Sequence, residues 1–132
     1  MHAPPSSRLS PAGLAFLLTF WIALAVFAAI PARAGDVLSP AELPAWLAAT
    51  PDALIVDVRT PEEYARGHLE GSVNIPIDSF EDRLDEIPVD RPVLIHCRMG
   101  VRAERAYGIV KEKKPEAVRV HMVRGPLEEF LR

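Results

Sequence analysis

The chain has 132 residues, 49% of them hydrophobic and 25% charged, with 15 Lys and Arg against 18 Asp and Glu and a single cysteine. That length holds one small core and no second one. A net charge of −3 speaks against nucleic-acid binding, which needs a broadly basic face; one cysteine excludes an intramolecular disulfide and a cysteine-built zinc site.

Residues 1–13 carry Arg8 as their firm positive charge and no acidic residue, and residues 14–30 form a continuous apolar run. Ala32-Arg33-Ala34 then puts small residues at the two positions a signal peptidase reads. This layout predicts a secretory signal peptide over 1–34, cleaved after Ala34. The competing reading is a retained membrane anchor, since the apolar run lies at the short edge of what spans a bilayer. In either case residues 35–132 are expected to form one exported domain, periplasmic or secreted. Removing Arg8 and Arg33 leaves 13 basic and 18 acidic residues there, a net charge of −5.

The domain alternates short apolar strands with amphipathic helices. Ser39-Pro40-Ala41-Glu42 reads as a capping box with proline in the first turn, and Leu38 and Leu43 are spaced as its hydrophobic staple. Leu43, Trp46 and Leu47 give that helix one apolar face. Residues 53–58 are strand formers with almost no alternation, as in a strand covered on both faces. Thr60-Pro61-Glu62-Glu63 repeats the capping device, and Gly67 ends the short helix. A strand is expected over 73–76, a small helix from Asp78 through Leu84, and a strand over 92–96. The pattern predicts a helix over 101–113, packed through Ala103, Ala106, Tyr107 and Val110. A last strand over 118–123 and a short terminal helix over 126–131 complete the chain. Alternating strands and helices predict an α/β fold with a mainly parallel sheet.

The chemistry concentrates where the strand over 92–96 ends. Cys97 is followed by Arg98, Met99, Gly100, Val101 and Arg102, a glycine-containing loop opening directly into a helix. Backbone N–H groups of such a loop, together with a helix N-terminus, form a cradle for an anion beside the sulfur. Arg98, Arg102 and Arg105 add positive charge locally, an island on an acidic body that suits a small anion better than a polymer. A lone cysteine is usually a small buried hydrophobe; here the glycine turn and the arginines favour a reactive thiol. Ligands of parallel sheets bind beyond the carboxyl ends of the strands. Asp57 and Arg59, at the end of another strand, are therefore candidates for the rim of the same crevice, Asp57 reading first as a structural carboxylate. His96 precedes the cysteine on the strand and should face the opposite side and pack. The four histidines show no metal-ligand spacing.

Three segments resemble the rhodanese family of sulfurtransferases: Ile55-Val56-Asp57-Val58-Arg59-Thr60-Pro61-Glu62-Glu63-Tyr64, then Gly67-His68-Leu69-Glu70-Gly71-Ser72-Val73-Asn74-Ile75-Pro76, then the loop Cys97-Arg98-Met99-Gly100-Val101-Arg102. A single exported domain of this size is similar to the phage-shock-induced periplasmic type. The resemblance implies a rhodanese-like α/β domain with a mainly parallel five-stranded sheet and helices on both faces. It also implies that Cys97 takes the outer sulfur of thiosulfate or a similar donor as a persulfide. That sulfur would pass to cyanide, a thiol, or an exported protein acceptor, with no metal or organic cofactor. The backbone from Arg98 to Arg102 would hold the persulfide's charge, and Arg102, with Arg98, the sulfonate end of the donor. His68, in the signature turn, is expected to be structural.

The tail departs from the family pattern of two glycines and a later tryptophan: Val123-Arg124-Gly125-Pro126-Leu127 leads instead to Phe130. Two alternatives share the scaffold. A persulfide carrier or partner-binding module would use the same loop without rapid turnover. A phosphatase or arsenate reductase is disfavoured, because cysteine phosphatases place arginine six positions after the cysteine. Here that position is Ala103, and Arg102 comes one residue early. A thiol-redox role is the weakest, since there is no second cysteine to resolve a mixed disulfide.

Overall fold

A computed structural model describes residues 36–132; the signal peptide or anchor expected over 1–34 lies outside them. Five strands form one sheet: β1 (Val37–Leu38), β2 (Leu54–Asp57), β3 (Val73–Asn74), β4 (Val93–His96) and β5 (Val120–Val123). Their spatial order is β1-β5-β4-β2-β3, and every pairing is parallel. β4 is the middle strand and all four of its residues are buried, which explains why its sequence shows no polar alternation. In register, Ile95 pairs with Val56 on one side and Met122 on the other, and His96 lies beside Asp57.

The described residues hold three α-helices, α1 (Leu43–Ala49), α2 (Pro61–Arg66) and α3 (Val101–Lys113), of which α1 and α3 pack on opposite faces of the sheet. Successive residues of β4 feed two cores on opposite faces. Val93 and Ile95 join α3's Ala103, Ala106 and Val110 with Phe80 and Ile87. Leu94 joins Leu38, Leu43, Leu69 and Leu127, with Trp46, Phe130 and Leu131 packed around them. Leu38 and Leu43 thus meet as the staple spacing requires. Both capping boxes form, with Ser39 N–H donating to Glu42 Oε2 at 2.9 Å and Thr60 N–H to Glu63 Oε2 at 3.0 Å.

Several elements differ from expectation. The first capping box starts a 3-10 turn, Pro40–Glu42, before α1 begins. The helix expected from Asp78 is instead two 3-10 turns, Ile77–Ser79 and Glu81–Glu86, broken at Arg83 (φ −114°, ψ 21°). Arg83 there donates to the Asn74 carbonyl at 3.3 Å and pairs with Glu86 at 2.5 Å, and segments this short gain little from α-helical cooperativity. The terminal helix expected over 126–131 is a single 3-10 turn, Glu128–Phe130. Its flanks are drawn into longer-range bonds: Leu127 N–H reaches Arg98 O, and Arg132 exchanges two backbone bonds with His68, at 3.0 and 3.2 Å. The strand pattern over 73–76 pairs only at Val73–Asn74, and that over 118–123 only from Val120.

Candidate functional site

Cys97 follows the last residue of β4, and α3 starts at Val101, so the residues between make a tight turn above the middle of the sheet. The thiol is 2% exposed, and its Sγ accepts the Gly100 N–H at 3.0 Å. Gly100 makes that bond from a left-handed conformation (φ 106°, ψ −20°). A Cβ at this position would stand 2.9 Å from Arg124 Cα, so both dihedral and space demand glycine. The tail braces the same turn from behind: Gly125 N–H donates to Met99 O at 3.1 Å and Leu127 N–H to Arg98 O at 3.3 Å. Two loop carbonyls are thereby tied away, which lowers the negative potential near the sulfur.

Arg102 and Arg98 are not free charges. Arg102 makes a two-pronged pair with Glu63, Nη1 to Oε2 at 2.6 Å and Nη2 to Oε1 at 2.9 Å. The Arg102 hydrogen bonds push the Glu63 carboxyl down to about 2, with the Thr60 N–H helping against the cost of burial. Arg102 also senses the Cys97 sulfur, more weakly than it senses Glu63. Arg98 pairs with Glu128 of the tail at 2.7 Å, and that bond holds the Glu128 carboxyl below its ordinary range. Arg105 is exposed on α3. Met99 and Val101 carry the loop's apolar side chains into solvent, 52% and 77% exposed.

Asp57 and Arg59 form a closed unit at the end of β2. The buried Asp57 carboxylate accepts from Arg59 N–H at 2.9 Å, Nε at 3.0 Å and Nη2 at 2.6 Å. Arg59 Nη2 also donates to Gly67 O at 2.7 Å, and Asn74 Nδ2 bridges the Asp57 and Arg59 carbonyls, each at 2.9 Å. His96 lies next to this unit, fully buried, with Nε2 3.9 Å from Asp57 Oδ2 and no hydrogen-bond partner at either ring nitrogen. Burial pushes its pKa down to about 4, against the opposing pull of Asp57. His96 therefore stays neutral, on the sheet face opposite the thiol.

A cleft of about 250 Å³ opens beside the loop, walled by Arg59, Glu63, Arg66, Arg98, Glu128 and Leu131. The loop enters it through Arg98, and Arg102 reaches its edge through Glu63. Asp57 stands behind Arg59 rather than in the wall. His68 faces a separate groove with Leu47 and Phe130; its ring stacks on Tyr64 at 3.9 Å and its Nδ1 lies 3.0 Å from Tyr64 O. Among the described residues no three His, Cys, Asp or Glu side chains are grouped to hold a metal.

Sequence reasoning missed Glu63, Glu128, Arg66 and Leu131 as parts of this site. Glu63 has a local signal, its capping box, which accounts for only half of what it does. Glu128 and Leu131 have none, because the tail reaches the cleft only after the chain has folded back.

Comparison with known proteins agrees with the geometry. The family model described as Rhodanese-like domain matches residues 39–131. A protein named sulfurtransferase from Allochromatium vinosum is 45% identical over 60 residues, 46% of this chain and 56% of that protein. The chain thus spans about half, or less, of the curated relatives it matches. Among solved structures, a rhodanese-like domain protein from Staphylococcus aureus superimposes with a TM-score of 0.61 at 28% identity, covering 74% of this chain and 96% of that one. The reduced CoADR-RHD of Bacillus anthracis gives 0.62 at 31% identity, with 74% of this chain matched to 18% of its length.

Proposed function

Because the chain belongs to the rhodanese-like domain family, we propose that it is a sulfurtransferase in which Cys97 carries the moving sulfur as a persulfide. The observation that carries this reading is the Cys97 sulfur receiving the Gly100 N–H at 3.0 Å at the head of a glycine turn. A thiolate here attacks the outer sulfur of a donor such as thiosulfate. The donor's S–S bond breaks, sulfite leaves with the bonding electrons, and Cys97 retains Cys–S–S⁻. A thiophilic acceptor, cyanide or a thiol, then takes the outer sulfur and restores the thiolate. No external oxidant or reductant enters either step. The loop N–H groups stabilise negative charge on the outer sulfur, as preorganised donors do for any developing anion.

The apolar run over 14–30 and Ala32-Arg33-Ala34 support action after export, in the periplasm or outside the cell, in the manner of the phage-shock-induced periplasmic type. The exposed Met99 and Val101 at the loop favour a second use of the same thiol, as a persulfide carrier handing sulfur to an exported protein. Nucleic acid is not a partner in this reading.

Intact mass of the folded 35–132 domain before and after thiosulfate tests the proposal. Addition of one sulfur atom, absent in Cys97→Ala and removed by cyanide, is the expected result. An unchanged mass in a folded domain would reject persulfide chemistry. Fast loading with slow discharge to small acceptors would favour the carrier.

A further inference from the structure

The charge balance of the cleft differs from what its arginines alone imply. Four guanidinium groups stand in its wall or at its edge, and three of them are paired with carboxylates. Arg59 is bound by buried Asp57, Arg102 by Glu63 and Arg98 by Glu128. Arg66 is not so paired: its Nε donates to the Glu62 backbone carbonyl at 3.2 Å. Four guanidiniums against Asp57, Glu63 and Glu128 leave the mouth a single excess positive charge, on a body of net −5. A doubly charged inorganic donor gains less there from long-range attraction than four free arginines would give.

These carboxylates are not equivalent. Asp57 is sealed inside the β2 end, and Glu63 is committed to the α2 cap. Glu128 stands on the exposed tail turn, its side chain 49% exposed and Arg98's 62%. It is the acid in the cleft wall that supports no element of the core. One apolar side chain, Leu131, lies in the same wall.

We propose that Glu128 sets the charge selectivity of this site, its carboxylate on Arg98 disfavouring a dianionic donor and leaving a cleft suited to a monoanionic organic sulfane-sulfur donor. The proposal rests on the persulfide reading of Cys97. For such a donor, R–SO₂–S⁻, the thiolate attacks the outer sulfur and the S–S bond breaks. The sulfinate R–SO₂⁻ leaves with the electron pair, and Cys97 keeps Cys–S–S⁻. One negative charge enters with the donor and one leaves with the sulfinate. The organic group R can lie against Leu131, beside the Glu128 carboxylate that the third oxygen of thiosulfate would face.

The test compares two probes that deliver the same sulfur and differ by one charge, free methanethiosulfonate anion and thiosulfate, with cyanide as acceptor. At low salt, Glu128→Gln should raise kcat/KM for thiosulfate about three- to tenfold and that for methanethiosulfonate by no more than about threefold. Glu128→Lys should widen the gap further, and Glu128→Asp should keep the wild-type ratio. The gap should shrink near 1 M salt, where the screening length is only about 3 Å. Equal gains for both donors, or no gain for thiosulfate, would overturn the proposal while leaving the persulfide chemistry intact. Failure of wild-type protein to take sulfur from either probe would instead remove the reading on which it rests. Thermal unfolding of each variant reports whether the tail turn itself has loosened.

Discussion

Glu63 and Arg102 meet across 39 residues of sequence in a two-pronged pair at 2.6 and 2.9 Å, while the same Glu63 carboxylate receives the Thr60 N–H at the start of α2. One side chain therefore fixes the first turn of one helix against the first turn of another. The thiol loop lies between β4 and the second of these helices, so the Arg102 guanidinium is positioned by the signature segment and not by its own loop.

Replacing Glu63 with Gln should accordingly reach both stability and chemistry. Loss of two charge-assisted hydrogen bonds and part of a cap costs about 1–3 kcal/mol, seen as a lower urea midpoint at pH 7. The pH dependence has a definite sign. The Glu63 pKa is pushed down to about 2 in the fold, by Arg102 above all, against an ordinary value of about 4.3. Its contribution is complete above pH ~4.3 and is lost as pH falls toward 2. The Gln variant should lack that part of the acid loss. Identical acid titrations for the two proteins would show that the pair does not stabilise the fold.

His96 carries the opposite kind of group, a base kept neutral. Its pKa falls to about 4 because it is buried, with Asp57 3.9 Å away opposing the shift and an unfolded value near 6.5. Stability should be complete above pH ~6.5 and decline as pH falls toward 4, because the unfolded chain takes up the proton first. At pH 5 the loss is about 2 kcal/mol. Comparing urea unfolding at pH 7.5 and 5 in wild type and His96→Gln measures it. A wild-type slope between these values that persists unchanged in the variant would assign the effect elsewhere.

The cysteine loop and both capping boxes were open to sequence reasoning because their defining contacts lie within three or four residues. Cys97 meets Gly100, Ser39 meets Glu42, and Thr60 meets Glu63. The buried strands over 54–57 and 93–96 were also visible, from apolar runs too long and too branched for a loop. β1 was not visible: two residues carry no period, and Leu38 was read only as a staple until its pairing with Val123 made it an edge strand as well. The Arg98–Glu128 pair, 30 residues apart, left no local trace either. Counting arginines therefore predicted a positive mouth, where folding supplies Arg98 and Arg102 with carboxylates and leaves Arg105 exposed on α3. The terminal helix failed for a related reason: it closes a single turn, and its flanking residues Leu127 and Arg132 give their backbone bonds to Arg98 and His68.

Gly100→Ala should be among the most damaging conservative changes in the loop. The residue holds φ at 106°, and the added methyl would sit 2.9 Å from backbone at Arg124. Strain of about 1–3 kcal/mol and displacement of the N–H that reaches the sulfur should together slow persulfide formation at least about tenfold. Sulfur loading followed by mass, with urea unfolding on the same sample, separates the two effects. Gly108→Ala is the matched control, because that helical position has open space around it and should gain slightly in stability. Equal rates in Gly100→Ala and wild type would mean that the Gly100 N–H does not serve the sulfur.

The tail should couple stability to the loop at one residue in particular. Leu127 is fully buried in the core shared with Leu38, Leu43 and Leu94, and its N–H holds the Arg98 carbonyl at 3.3 Å. Leu43 is equally buried in the same core, but its N–H goes to Pro40 O and not to the loop. Truncating either to Ala should cost about 2–5 kcal/mol, lowering the unfolding midpoint comparably. Only Leu127→Ala should also speed hydrogen exchange at Gly125 and Leu127 and reduce sulfur loading by the molecules that remain folded. The comparison works because both variants pay the same kind of cavity cost, so a difference in loading cannot come from stability alone. If both variants load at the wild-type rate once the unfolded fraction is subtracted, the tail supports the core and does not hold the loop.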